Sequence, residues 1–484
     1  MAQKMLKGSL WSFGTNSIQQ ILILARLVIL AHLLLPADFG LLGIAVLTIY
    51  GLDVFSQTGL QQALVHKKTD ITSDLDAVWT LLAVRGVLLF IALFLMAPFI
   101  ADFFRTPEAM PVLQVIGVSL IFQGLTNLGT IFFLKDLDFR KQFLFKFGGV
   151  LADFVVSVAA VFIFQNVWAL VFGLLAKDLT LLVLSYMIHP YRPKINFDLG
   201  KVRALSVYGR WILVSAALVF LLIQGDDILV GRMLGVAALG FYQMAYGFSN
   251  TPSTEISQIF SQVAFPVYSK LQDDMVQLKQ IFLRTLKLTA LLSFLLIGFL
   301  VSLAPDFTLV FLGSTWSPII PLIQILAWWG LIRGLEEAAA ALFMAVGKPR
   351  IYSKLQFIQV VLLFTLFIPL ITYFGLVGVS IAVVCSAIPV MFLSISAIKS
   401  ILKIEAWGVY SLLFYPFVLA ISGIAAVSLA RFVLFPVPSL LSFVLLLGIF
   451  AIAVLTVIFL FERYTPYKVW AILRSRPKLD PENI

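Results

Sequence analysis

Cysteine, histidine and charge are all scarce in this chain. Its 484 residues include one cysteine and three histidines, and only 12% are charged. A lone thiol, Cys385, closes no intrachain disulfide and builds no cysteine zinc site. Set in an apolar run, it reads as a small buried residue. His32, His66 and His189 lie near helix ends and far apart, which argues against a histidine metal cluster or proton relay. Long polar stretches are missing too. Soluble domains are about half apolar and a quarter charged, whereas this chain is 61% apolar with a mean hydropathy of +1.05. Apolar segments run from Trp11 to Phe461, which excludes a globular enzyme on a single anchor.

What the chain has instead is a series of spans. A bilayer crossing needs ~20 mostly apolar residues. About fourteen such segments are predicted, near 11–35, 39–61, 78–101, 111–134, 143–164, 167–189, 207–231, 236–260, 285–304, 318–346, 355–374, 376–398, 407–431 and 439–461. The start, MAQKMLKGSL, is a basic flank without a small-residue cleavage site after it, so the first span reads as uncleaved.

The net charge of +10 would suggest nucleic acid in a soluble protein. Here it follows membrane topology, and no nucleic-acid partner is expected. With the N-terminus inside, 27 of the 34 Lys and Arg fall on inside segments and only Arg105, Arg232 and Arg431 on outside ones. The inside set includes Lys67, Lys68, Lys141, Arg192, Lys194, Lys279, Arg350 and the tail from Arg463 to Lys478. This split supports an even number of spans with both ends cytoplasmic.

The chain also repeats itself at an offset near 200 to 210. PVLQVIGVSLIFQGL from Pro111 matches PLIQILAWWGLIRGL from Pro321, aligning Gln114 with Gln324 and Gly124 with Gly334. Trp11 aligns with Trp211, and Gly40 with Gly240. Six spans per half is an even number, so both halves enter the membrane the same way. Such parallel repeats belong to transporters whose two bundles rock around a central site. The reading is an all-α membrane protein with two pseudo-symmetric six-helix lobes, 1–200 and 201–405, around a central cavity. Two appended helices (406–461) and a tail (462–484) follow.

Charges at membrane depth are costly and mark cavities or partners. The bases Arg26, Arg85, Lys177 and Arg333 lie well inside spans, together with acids that include Asp53, Asp153, Asp178, Asp226, Asp227, Glu336 and Glu337. At 100° per residue, Ser12, Asn16, Gln19, Gln20 and Arg26 share an arc of roughly 120°, a polar stripe on the first span. Tyr208, Ser215 and Asp226 share a face of the seventh. The four bases, with Asn16 and Gln20, are the candidate cavity-lining, substrate-binding residues. Asp53, Asp153, Asp226, Glu336 and Glu337 are candidates for coupling or for ion pairs. Asp53 and Asp153 are candidate interhelical partners for Arg26 and Arg85, with no acid assigned to either arginine. For Arg333 the local option is Glu336 or Glu337, three and four residues on. Arg26 and Asp226 occupy equivalent repeat positions, either meeting or lining opposite walls. An arginine-lined cavity favours an anion such as phosphate, which fits the guanidinium fork. The longest loops, near 62–77, 190–206 and 261–284, hold no Gly-rich phosphate loop, acid pair or metal-spaced cluster. No catalytic residue, metal or cofactor is expected.

The stretch KGSLWSFGTNSIQQILILARLVILAHLLLPADFGLLGIAVLTIYGLDVFSQTGLQQALVHKK resembles the polysaccharide transporters of the multidrug/oligosaccharidyl-lipid/polysaccharide flippase superfamily. QGDDILVGRMLGVAALGFYQMAYGFSN, opening the second half, supports the likeness, which covers nearly the whole chain. The resemblance implies a V-shaped pair of lobes around a central cavity and a cavity arginine at Arg26. It implies a bacterial inner-membrane flippase that moves an undecaprenyl-pyrophosphate-linked oligosaccharide, a surface polysaccharide repeat unit, by ion-coupled alternating access. Membrane lipid and a polysaccharide polymerase with its chain-length machinery are the implied partners. Alternatives are a multidrug or cation antiporter of the same superfamily, a lipid II flippase differing only in the sugar, and a membrane glycosyltransferase or polymerase.

Overall fold

Inside a bilayer every backbone N–H and C=O must be satisfied without water, which leaves helices as the spanning form for an apolar chain. The computed structural model describes residues 2–56, 72–135, 138–197, 209–435 and 437–461. The expectations placed on the side chains of Ser12, Asn16 and Ser215, on His66, Lys67, Lys68 and Tyr208, and on the tail lie outside the described residues. The described elements are helical throughout. The first group is α1 (Ala2–Leu33), α2 (Pro36–Ser56), α3 (Thr72–Phe103), α4 (Ala109–Ile116), α5 (Val118–Leu125), a 3-10 turn (Leu128–Thr130), α6 (Ile131–Lys135), α7 (Phe139–Phe164) and α8 (Trp168–Ile188). Then come α9 (Gly209–Leu234), α10 (Val236–Lys270), α11 (Met275–Phe307), α12 (Ile319–Ala345), α13 (Pro349–Leu402), α14 (Ala406–Leu434) and α15 (Leu440–Phe461).

Nine of the described helices are long and apolar enough to cross a membrane. One of them, α13, has 54 residues and breaks at Gly375 (φ 55°, ψ −133°), so it supplies two spans. That φ lies in the left-handed region, which only glycine enters at little cost. The remaining predicted spans fall on α1, α9, α10 and the α4–α6 stretch, which are more polar or interrupted. Each of the fourteen predicted spans thus has a helical counterpart.

One span departs from its expected form. The segment predicted as a single crossing at 111–134 unwinds at Thr126 (ψ 136°) and Asn127 (ψ 119°). The freed backbone groups find side-chain partners. Tyr186 Oη and Trp79 Nε1 donate to the Leu125 carbonyl at 2.9 and 3.3 Å. The Asn127 N–H donates to Ser185 Oγ at 3.0 Å, and its side chain accepts from the Gly129 N–H at 2.8 Å. A break at this depth is tolerated because other groups satisfy the backbone.

Packing divides the chain into two compact units, Met1–Gln243 and Met244–Ile484, with α10 running through the division. In the first unit α7 packs on α8 and α1, α3 on α4 and α5, and α2 on α9. Asp38 ties two loops there by accepting from the N–H groups of Leu35 and Val167, both at 2.9 Å. In the second unit α11 packs on α12 and α14, and α12 on α13. Tyr268, Phe282 and Phe343 are fully buried in its core. The Arg431 guanidinium on α14 pairs with buried Asp306 on α11 and also reaches the Ser302 carbonyl, fastening the C-terminal helices. Large apolar side chains such as Phe99, Tyr373 and Phe432 stand exposed, as lipid-facing residues do. Cys385 is exposed as well, which corrects its reading as a buried residue. The apolar run around it presents that face of α13 outward.

Candidate functional site

In the first unit the two span arginines each find a carboxylate on a neighbouring helix. Arg26 on α1 pairs through Nη1 with Asp153 on α7, with 21% and 13% of the two side chains exposed. Gly173 on α8 leaves the room Asp153 occupies, since a Cβ there would sit 2.6 Å from Asp153 Oδ1. Arg26 Nε and Asp153 Oδ1 are buried and have no hydrogen-bond partner among the described residues.

Arg85 on α3 lies 2.6 Å from Asp53 Oδ1 on α2 and also donates to the Asp53 carbonyl at 3.0 Å. Ser56 Oγ accepts from Arg85 Nη2 at 2.7 Å. This pair is the more open of the two, with 22% and 37% of the side chains exposed. The two acids expected as interhelical partners of the arginines thus fill that role, Asp153 for Arg26 and Asp53 for Arg85.

Lys177 on α8 is half-buried and makes no ion pair among the described residues. Its neighbour Asp178 is buried and accepts from Gln123 Nε2 at 3.0 Å. Gln20 is exposed on α1. Asp226 on α9 accepts from Tyr242 Oη at 2.6 Å, while the adjacent Asp227 accepts from Gln243 Nε2 at 3.1 Å. Arg26 thus has Asp153 as its ion partner, and Asp226 is held by α10.

In the second unit, Arg333 on α12 does not form the local helix pair with Glu336 or Glu337. Its Nη1 donates to Tyr246 Oη on α10 at 3.4 Å, and Trp329 Nε1 donates to the same oxygen at 3.4 Å. The helix explains the grouping. Most of α12 is buried, and its partly exposed positions include Gln324, Ile325, Trp328, Trp329, Arg333, Glu336 and Glu337. Of these, Trp329, Arg333, Glu336 and Glu337 fall within an arc of roughly 100° and form one polar and aromatic face. A cation with nearby indole and phenol rings is suited to a phosphate and a sugar face.

Sequence reasoning missed Trp329, Tyr246, Tyr242 and Ser56. Trp329 lies one helical turn before Arg333 and was findable on that ground. The other three depend on tertiary contacts.

The fold and these charged stripes define a multi-pass α-helical membrane protein with polar groups held within its spans. The chain belongs to the polysaccharide biosynthesis protein family, whose model matches residues 29–321. It is similar to the lipopolysaccharide biosynthesis protein WzxC of Escherichia coli (strain K12), 25% identical over 405 residues, covering 83% of this chain and 80% of that one. It is also similar to the teichuronic acid biosynthesis protein TuaB of Bacillus subtilis (strain 168), 27% identical over 292 residues and 60% of each chain. Among solved structures, the inward closed conformation of the lipid II flippase MurJ superposes with a TM-score of 0.76. That likeness is 15% identical and covers 94% of this chain and 99% of that one. An inward-facing multidrug resistance MATE transporter of the MOP superfamily follows at 0.62, 16% identical, covering 80% and 96%. These two likenesses establish the fold.

Proposed function

We propose that the chain is a flippase that carries a polyprenyl-pyrophosphate-linked oligosaccharide across a bacterial cytoplasmic membrane by alternating access. The observation that carries this reading is a set of partly exposed basic side chains on helices read as spans. Arg333 is the strongest case: it lacks an acid partner among the described residues and stands beside two aromatic rings. In the first unit, Arg26 and Arg85 are further span arginines, each paired with one carboxylate. A diphosphate supplies acceptors for several guanidinium groups, and aromatic rings suit the sugars. Unaided passage of that headgroup would leave charges and hydroxyls unsolvated in hydrocarbon. The names of WzxC and TuaB, both biosynthesis proteins of surface polymers, agree with this substrate class.

In this reading 1–200 and 201–405 are the two moving lobes, 406–461 is an appendage, and both chain ends are cytoplasmic. Asp226, Glu336 and Glu337 are the candidates for coupling to an ion, and a polysaccharide polymerase is a candidate partner. The test is genetic. Deleting the gene should abolish one surface polymer and leave its lipid-linked repeat unit accumulated on the cytoplasmic side, with this chain restoring both. Export that continues undisturbed in the deletion strain, with no accumulated intermediate, would refute the proposal. The excess of acids over bases well inside the spans favours a second reading, a cation antiporter. Loss of resistance to organic cations without loss of polymer would select it.

A further inference from the structure

The loop after α8 closes over the helix break at Thr126–Asn127 and builds a second site. A groove of about 630 Å³ lies there, lined by Leu125, Leu182, Val183, Tyr186, Met187 and Arg192. Its composition is divided by depth. Val183 and Met187 are 49% and 74% exposed on the outer face of α8, where lipid chains would run. Tyr186 is fixed by its hydrogen bond to the Leu125 carbonyl, so its ring forms a rigid wall.

Arg192 closes the polar end. Its Nη1 donates to the carbonyls of His189 at 2.7 Å and Tyr191 at 2.9 Å, and its guanidinium carbon lies 6.0 Å from the Tyr186 ring centroid. Two carbonyls thus hold the fork in place. The remaining N–H groups make no hydrogen bond, and the side chain makes no ion pair, among the described residues. The segment carrying Arg192 is itself pinned. Asp76 accepts from the Lys194 N–H at 3.1 Å and from the Tyr191 hydroxyl, and Thr80 Oγ1 accepts from the Asn196 N–H at 2.9 Å. Burial and the Asp76 carboxylate push the Tyr191 hydroxyl well above its ordinary range, so it stays protonated and keeps donating.

We propose that this groove is a binding site for an anionic glycerophospholipid, with an acyl chain along Leu182, Val183 and Met187 and the phosphate on Arg192. Charge complementarity selects the occupant. An apolar trough ending in an immobilised, unpaired guanidinium matches a lipid whose head is a phosphate with net negative charge. A zwitterionic head brings its own cation next to Arg192 and gains less. The site lies wholly within the first unit, and its lining includes none of Arg26, Arg85, Lys177 or Arg333.

The experiment uses the full chain, purified in detergent, mixed with phosphatidylglycerol or phosphatidylcholine, and read by native mass spectrometry. The wild-type chain should retain phosphatidylglycerol about tenfold better, the size expected for one charge-assisted contact of Arg with phosphate. Arg192→Ala should erase that preference. Val183→Trp, a change on a lipid-facing position that fills the trough, should lower retention while leaving Arg192 in place. It serves as the test if Arg192→Ala does not fold, which gel filtration and thermal melting report. Equal retention of both lipids by the wild-type chain, an unchanged preference in Arg192→Ala, or undiminished retention in Val183→Trp would overturn the proposal. So would displacement of phosphatidylglycerol by inorganic phosphate alone or by a polyprenyl phosphate at equal concentration. Polymer export in the same variants is scored separately, so loss of lipid retention is distinguishable from loss of transport.

Discussion

An arginine at membrane depth is tolerated when it meets a carboxylate or when it faces a polar path, and this chain uses both. Arg26 meets Asp153, and breaking such a mostly buried pair from one side leaves the other charge uncompensated, at a cost on the order of 3 kcal/mol. Arg26→Ala should therefore lower the melting temperature and also abolish export. The double variant Arg26→Ala/Asp153→Ala separates the two effects. Its thermal stability should recover towards wild type, because no unpaired charge remains, while export stays lost. Export that recovers together with stability would make Arg26 a purely structural residue. Arg333 is the opposite case. It makes no ion pair among the described residues, so Arg333→Gln should leave stability almost unchanged and lower the export rate about tenfold or more. Trp329→Ala, one turn away, should weaken apparent affinity for the lipid-linked glycan by about tenfold, the scale of a lost aromatic contact. Arg333→Lys, which keeps charge but loses the fork, should fall between wild type and Arg333→Gln. Quantified lipid-linked repeat units in inverted vesicles read all three.

At the scale of elements, hydropathy made the spans legible, because a 20-residue apolar run has few other uses. Even the divide within the long α13 was readable, since predicted spans end at 374 and restart at 376, flanking Gly375. The interruption of the fourth span was not, although Thr126, Asn127 and Gly129 are the residue types that break helices. A broken helix in hydrocarbon survives only with partners for its backbone, and those come from α3 and α8, far away in sequence. The same limit applied to the site. That Asp53 and Asp153 would partner the two arginines was expected, because span acids and bases seek each other, but which acid meets which arginine is set by tertiary packing. That Arg333 would turn to Tyr246 instead of its own helix's acids could not be read, because Tyr246 reaches it only by tertiary packing. Asn127→Leu probes the break itself. It removes the bond from the Gly129 N–H and the one given to the Tyr191 carbonyl at 2.7 Å. The buried Gly129 N–H then has no partner, while the Tyr191 carbonyl keeps its bond from Arg192, a loss of about 1–3 kcal/mol. The expected result is a lower melting temperature in detergent and faster proteolysis in the loop after α8. An unaltered melt would mean that water or lipid replaces Asn127 there.

At the scale of the whole chain, the internal repeat returns as a contact. Gly40 on α2 and Gly240 on α10 were aligned at an offset of 200, and so, by the same offset, are Pro36 and Val236. A Cβ on Gly40 would collide with the Val236 carbonyl, and a Cβ on Gly240 with the Pro36 carbonyl. The two collisions are one interaction seen from both repeats, a reciprocal crossing that needs glycine on each side. Gly43 extends it, since its missing side chain makes room for Gln243, again its equivalent at the same offset. Alanine favours a helix over glycine by about 1 kcal/mol, so on propensity alone Gly40→Ala and Gly240→Ala should both stabilise. The crossing predicts the reverse. Each should lower the melting temperature, by similar amounts, because each forces apart the same pair of backbones. The double variant should lose less than the sum, because a crossing opened once is not opened again. Strict additivity, or a gain in stability from either change, would mean that the two helices do not meet in the dominant conformation of the protein. In that event the closed crossing would be a minor member of the conformational ensemble, and export rates in the same variants would move with it.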